Sequence, residues 1–425
     1  MTEGLKTNKK PLSLAYAPSN PHFAKLFLFF LNMVRIFVIL NIGDIMELKF
    51  NNGKFRIMQI ADVQDTQKTS DATVRFIRDA LKVAKPDLVV FTGDQIKGYG
   101  FYLFGGDAKE KVMTCINSFL TPLSETGIPF TFVFGNHDDQ AFSISKKEQF
   151  EIYKSHSNCV AYNADDEIEG YCNHNLEIKG DDGKTKLNVY LVDSLTATLD
   201  GTCDHVHENQ LEWYKQTRER LKEENGEYVP SIVFQHIPVP EIYELLIEVP
   251  KGTEGAAQGF REYAGKYYGM NPERVVIDDR SFCGETPSIP EENGGQFDVM
   301  NEKGDVFAMF FGHDHNNSFV GEYNGMKMGY TQGCGFNVYG PGKKRGVRLF
   351  DFDESNPAKF TTTTLTVEDL ENFDIGNKLK HGFYTYAPTS VDSVKYIAKT
   401  KVLPIAAALG SAIGVYKLIK KIKKK

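Results

Sequence analysis

The chain has 425 residues, enough for one large domain or two ordinary ones. A hydrophobic content of 41% beside 25% charged residues excludes a disordered chain. A net charge of -7 speaks against nucleic acid as a partner, since a phosphate backbone demands a basic face. Six cysteines (Cys115, Cys159, Cys172, Cys203, Cys283, Cys334) form no Cys-x-x-Cys pair and are too sparse for a disulfide framework, so they read as free or occasionally paired thiols.

In chain order, Leu26 to Ile42 (LFLFFLNMVRIFVILNI) comes first, an apolar run broken by Asn32, Arg35 and Asn41 and preceded by Lys6, Lys9, Lys10 and Lys25. It falls short of the ~20 apolar residues of a membrane span. Two readings stand side by side: a signal anchor, or sequence ahead of a natural start at Met46, where the globular pattern begins. Residues 1–45 are therefore set apart as an N-terminal extension.

From Lys54 the pattern alternates between strand and helix. Phe55 to Asp62 (FRIMQIAD) is a short apolar run ending in a carboxylate, as a buried strand does. Thr73 to Ala84 has apolar residues at helical spacing, and Asp87 to Thr92 is a second buried strand after Pro86. A helix over about Lys109 to Glu125 and a strand from Pro129 to Phe134 complete a β-α-β-α-β run with a parallel core. A helix follows near Ser145 to Lys154. His174 to Lys179 and Leu187 to Asp193 flank DDGKT, a hairpin signature. Next come a helix around Glu208 to Glu223 and a strand from Ser231 to Gln235. The Gly-, Pro- and Glu-rich stretch of about 250–295 reads as an inserted lid or surface excursion. Val306 to Phe311 returns to strand, and short alternating runs continue to Thr366. The expected fold is α/β: two packed mixed β-sheets with helices outside, in one domain over 46–366. The tail of 367–425 contains Val402 to Ile419, apolar and rich in Ala and Gly, then KKIKKK, which suits a membrane surface as well as a docking helix. The same two segments give two locations: a cytoplasmic protein held peripherally at a membrane, or an anchored one with its domain outside.

Chemistry is concentrated where the apolar strands stop. Ala61-Asp62-Val63-Gln64, Gly93-Asp94, Gly135-Asn136-His137-Asp138, Gln235-His236 and Gly312-His313-Asp314-His315 each follow a strand. Loops at the carboxyl ends of strands in an α/β sheet converge on one crevice, which gathers Asp62, Asp94, Asn136, His236, His313 and His315. Mixed oxygen and imidazole donors suit Mn, Fe or Zn better than Ca. His205-x-His207 precedes a helix start and reads as a solvated loop; Tyr330, Phe336 and Tyr339 are candidates to line the pocket.

Taken in order, FTGDQ, FGNHDD, FQHIPVPE and FFGHDHNNSF resemble the signature blocks of calcineurin-like metallophosphoesterases. With GCGFNVYG they are most similar to the small purple-acid-phosphatase-like members of plants, fungi and bacteria, over roughly Lys54 to Asp353. The resemblance implies a four-layer α/β/β/α sandwich and hydrolysis of a phosphate ester by a water activated between two metal ions. It implies that Asp94 bridges the ions, that Asn136, His236 and His313 complete one site, and that Asp62 and His315 hold the other. His137 would bind phosphoryl oxygens or protonate the leaving group, with Asp138 a candidate to orient it. Two departures stand out. Gln64 occupies the second ligand position of the first block, where the family commonly has His; Asp65 or water are the alternatives there. Lys97 replaces the tyrosine of purple acid phosphatases, with Tyr99 in a different register, so no iron-tyrosinate colour is expected. The competing function is a catalytically weak metal-binding scaffold in which Gln64 has degraded the first site.

Overall fold

The computed structural model describes residues 46–196, 203–259 and 263–386. Leu26 to Ile42 and Val402 to Ile419 lie outside the described residues. Among the described residues, no helix is long and apolar enough to cross a membrane.

Strand β1 (Leu48–Lys49) is followed by β2 (Lys54–Ile60), helix α1 (Asp71–Ala84), β3 (Leu88–Thr92), α2 (Ala108–Thr126) and β4 (Phe130–Val133). In α1 the buried residues Ala72, Thr73, Phe76, Ile77, Ala80, Leu81 and Ala84 recur at helical spacing and form one face. In α2, Asp107 caps the first turn by accepting from the backbone N–H groups of Lys109 and Glu110, and Gly127 closes the helix at φ 69°. A single turn α3 (Asn136–Asp139), then α4 (Lys146–Lys154), lead to β5 (His174–Lys179) and β6 (Thr185–Leu191). These two strands are the predicted hairpin, though β6 stops two residues short of Asp193. After α5 (Glu208–Asn225) and β7 (Ser231–Phe234), the excursion carries β8 (Leu246–Glu248), β9 (Ala257–Gln258) and β10 (Tyr267–Met270) as a small antiparallel sheet. β11 (Phe282–Cys283) pairs with β13 (Asn317–Ser318), and α6 (Gln296–Asn301) and β12 (Val306–Phe311) lie between them in sequence. β14 (Val320–Tyr323), β15 (Met326–Tyr330), β16 (Gly346–Asp353), β17 (Thr361–Thr366) and α7 (Lys378–Tyr386) complete the domain.

Two mixed sheets result, in the orders β17-β16-β2-β3-β4 and β1-β5-β6-β7-β12-β15-β14. The predicted β-α-β-α-β run is parallel, and β16 returns antiparallel against β2. Three apolar clusters explain the layering. Ile57, Val90 and Phe350 of one sheet pack with Val189, Phe234 and Phe310 of the other. The outer face of the first sheet packs on α1, α2 and α4, and that of the second on α5 and α6. The arrangement is the expected helix/sheet/sheet/helix sandwich, because each sheet has two apolar faces to cover.

One buried imidazole makes this fold sensitive to acid. His174 lies 2.6 Å from Thr131 Oγ1 and 2.7 Å from the Cys172 carbonyl, and burial pushes its pKa from 6.5 down to about 4. A folded value below the unfolded one means that the stabilisation is complete above 6.5 and is lost as pH falls towards 4. Lowering pH from 7.5 to 5 is expected to remove about 2 kcal/mol through this group. The check is the change in urea midpoint between these pH values, compared with His174→Gln; an equal change in both proteins would refute the assignment.

Candidate metal centre

The five blocks meet at the carboxyl ends of β2, β3 and β4 of one sheet and of β7 and β12 of the other. Each strand is buried and regular up to its last residue, so the first polar residue beyond it must turn sharply to present its side chain. Asp62, Gln64, Asp94 and His313 do so in the left-handed region, with φ of 53°, 39°, 52° and 71°. Such backbone strain in non-glycine residues collects at functional sites, where surrounding structure holds it. Two glycines clear the space. A Cβ on Gly93 would lie 2.5 Å from His236 Nδ1, and one on Gly135 would lie 2.3 Å from Asp94 Oδ1.

The hydrogen bonds fix which atoms face inward. His236 Nδ1 is 2.8 Å from the Thr92 carbonyl, which only accepts, so Nδ1 carries the proton and Nε2 presents a lone pair. Around that lone pair stand Asn136 Oδ1 at 3.1 Å, His313 Nδ1 at 3.2 Å and Asp94 Oδ2 at 3.3 Å. His315 repeats the pattern. Its Nδ1 donates to the Tyr339 carbonyl at 2.9 Å, leaving Nε2 3.2 Å from Asp62 Oδ1, a buried oxygen with no hydrogen-bond partner. Donors of a tetrahedral ion with bonds near 2.0–2.2 Å stand about 3.3 Å apart, so these residues fit metal ions. Asp94 belongs to both groups: with His236 and His313 on one side, and with Asp62 and His315 on the other.

The electrostatics make the same demand. Burial by itself would raise the Asp94 pKa, but His137, His236 and His313 outweigh it and hold the carboxyl well below its usual range. With no ion between them, burial would lower His236, yet Asp94 lifts it to about 10, so that a proton occupies Nε2 where a metal ion would take the lone pair. Burial, reinforced by His236, keeps His313 neutral by pushing it well below 6.5. A depressed carboxyl beside a raised imidazole marks a cluster that calls for positive charge between its members.

Gln64 is buried beside Asp94. Its Nε2 donates to Asp94 Oδ2 at 3.2 Å, while its Oε1 has no hydrogen-bond partner. Asp65, the alternative considered for that position, turns away: it accepts from the N–H groups of Thr66 and Ser70, from Thr73 Oγ1 and from Asn337 Nδ2. His137 stands at the mouth, its backbone N–H donating to Asp94 Oδ1 at 2.8 Å and its Nε2 3.7 Å from Asp94 Oδ2. Its Nδ1 lies 2.7 Å from Gln140 Oε1, with Asn136 Nδ2 at 3.4 Å, and is not held by Asp138. Asp138 points beneath the turn and accepts from the backbone N–H groups of Gly135 and Ile96; burial, with Asp94 next, raises its pKa to about 8. Its place is fixed by the one-turn helix α3, which aims positions 136 and 138 inward and 137 outward.

Of the three aromatic candidates, Tyr339 reaches the site, its ring stacked on His315 at 4.1 Å. Tyr330 lies behind it, donating to Asp314 Oδ2 at 2.6 Å, and Phe336 packs against Phe76 and Phe373. His205 and His207 are half-exposed. His207 precedes α5 and lies 3.2 Å from Asp204 Oδ1. Sequence reasoning missed Gln140 and also Glu285. This glutamate enters from the excursion, is half-buried, and accepts from the Asn316 N–H at 2.8 Å and from the Tyr339 hydroxyl. Nothing local distinguishes it from the other glutamates of a polar insertion.

Comparison with known proteins shows the family. The family model described as calcineurin-like phosphoesterase matches residues 55–317. Two Arabidopsis thaliana proteins, "Probable inactive purple acid phosphatase 14" and "Probable inactive purple acid phosphatase 29", are each 29% identical to this chain. The first alignment covers 72% of this chain and 77% of that protein, the second 74% and 80%. The crystal structure of a dimetal phosphatase from Danio rerio is 13% identical, covers 74% of this chain and 99% of that one, and superposes with a TM-score of 0.41. With every strand-end block inside the matched span, which takes in more than half of the chain, the chain belongs to the calcineurin-like phosphoesterase family.

Proposed function

We propose that this protein hydrolyses phosphate esters at a dimetal centre. Asp62, Asp94 and His315 would hold one ion, and Asp94, Asn136, His236 and His313 the other. The observation that carries the reading is the convergence of lone pairs on two points that share Asp94, each about one metal–ligand geometry across. Two ions of Mn, Fe or Zn bound there would supply an acidified water and positive charge against the phosphoryl oxygens. The rest of the work falls to side chains. With Nδ1 donating to Gln140 Oε1, His137 turns Nε2 to the mouth, where in the imidazolium form its second proton would hold a phosphoryl oxygen or pass to the leaving oxygen. Asp138 holds Gly135 and Ile96 together, and so keeps the turn bearing Asn136 and His137 against the turn bearing Asp94.

A second reading has an observation of its own. In its orientation here Gln64 offers Asp94 an N–H and not a lone pair, which leaves the first site one donor short. The two Arabidopsis relatives carry the word "inactive" in their names. On this reading the chain is a metal-binding scaffold. The two are separated by measuring metal content per chain, and phosphate release from an aryl monoester and the matching diester, first metal-free and then with Mn, Zn or Fe. Two ions per chain with metal-dependent release is the expected result. One ion or none, with no release from either ester, would establish the scaffold.

A further inference from the structure

Near His137 stands Lys97, linked through Asn337 to a second lysine, Lys380. Lys97 follows the turn that carries Asp94, its backbone N–H held by the Asp65 carbonyl at 2.8 Å. Its ammonium lies between the rings of Tyr99, at 5.3 Å, and Tyr384 of α7, at 5.7 Å, and donates to the Asn337 carbonyl at 3.3 Å. Lys380, also on α7, donates to Oδ1 of the same Asn337. Among the described residues neither lysine has a carboxylate within ion-pair distance. The acid that acts on Lys97, Asp65, already accepts four hydrogen bonds from other donors. Burial lowers the Lys97 pKa, and the nearby charge of Lys380 lowers it further against the pull of Asp65. A half-buried cation linked through one asparagine to an exposed second cation, both with neutral hydrogen-bond partners, is an arrangement that an anion stabilises. The place is set by Tyr99, whose ring is 4.4 Å from that of His137, so one aromatic ring separates Lys97 from the residue facing the scissile phosphate.

We infer that Lys97 and Lys380, joined through Asn337, form a second anion subsite, and that the substrate carries another anionic group near its scissile phosphate, as a bisphosphate or a phosphorylated carboxylate does. The inference rests on the hydrolase reading for its substrate, but the subsite itself is defined by binding. The alternative is that the lysines only brace α7 against the domain.

The test uses the full chain loaded with metal and a matched pair of probes, propanediol monophosphate and propanediol 1,3-bisphosphate. The bisphosphate is expected to have a kcat/KM about tenfold higher, the worth of one charge-assisted hydrogen bond. The Lys97→Gln, Lys380→Gln double variant should bring the ratio close to one, and Lys97→Arg should keep it. A brace alone would change the thermal midpoint, or both probes alike, and leave the ratio unmoved; that result overturns the subsite, as does an equal kcat/KM in the unaltered protein. If neither probe is hydrolysed, the hydrolase reading fails, and calorimetric binding of the same two compounds decides the subsite. Tighter binding of the bisphosphate that the double variant abolishes supports it, and equal binding overturns it.

Discussion

Asp94→Asn is expected to reduce metal-dependent phosphate release by on the order of a thousandfold and to leave fewer than two ions per chain. The carboxylate is the member shared by the two ligand groups, so both lose a charged donor together. Its two oxygens have separate duties. Oδ1 accepts the His137 N–H at 2.8 Å, while Oδ2 faces His236 Nε2 at 3.3 Å and accepts from Gln64 at 3.2 Å. An asparagine keeps the first contact through its own carbonyl. In place of Oδ2 it puts an N–H₂ that has no lone pair for a metal and that opposes the Gln64 N–H₂. Since the side chains are nearly equal in size, the fold should survive. Far-UV circular dichroism and the thermal midpoint of the metal-free protein would verify that point. Retention of a tenth or more of the activity would show that the bridging role assigned to Asp94 is wrong.

The largest effect on stability is expected from Phe310→Ala, at about 3–5 kcal/mol. Phe310 is wholly buried in β12, at the centre of the layer between the sheets. Its ring meets Phe350 edge-on at 4.5 Å, with Phe360 at 6.1 Å and Phe234 at 6.4 Å. Alanine removes the ring from among aromatics that belong to three different strands or loops, which cannot all move inward to fill the space. Against a total stability of about 5–15 kcal/mol for a domain, the loss is a large fraction. It should also reach the site, because His313 follows Phe310 by three positions and inherits its aim from the end of β12. Urea unfolding gives the magnitude. Phe310→Leu, which keeps most of the volume, should lose less than the alanine variant, and equal losses would show that packing is not the cause.

Much of this was legible in the residues taken alone, for reasons that can be stated. The strands β2, β3, β4, β7 and β12 are short, mostly apolar runs that are buried along most of their length, so composition and length identify them without knowledge of their neighbours. Helix α1 declares itself by spacing, although it begins at Asp71, two residues before the predicted start, with Ala72 buried in its first turn. The identity of the cluster followed from a topological rule: in a parallel sheet, the residues just beyond the strand ends have to meet. That rule places Asp62, Asp94, Asn136, His236, His313 and His315 together from their sequence positions. It says nothing about which atoms meet.

Only the tertiary structure decided orientation and long-range partnership. That Gln140 and not Asp138 holds His137 depends on the phase of a single helical turn. That Gln64 presents its N–H₂ to Asp94 depends on a hydrogen bond between two loops thirty positions apart. Glu285 reaches the site from an insertion whose composition predicts only surface, and Lys380 meets Asn337 from a helix beyond the last strand. The sequence by itself thus determined the layers, the strand ends and the kinds of donor gathered there, since local periodicity and chain topology specify these. The pairing of those donors, their protons, and the lysines joined through Asn337 came from contacts between distant segments, because a hydrogen bond depends on distance and angle, which residue order does not specify.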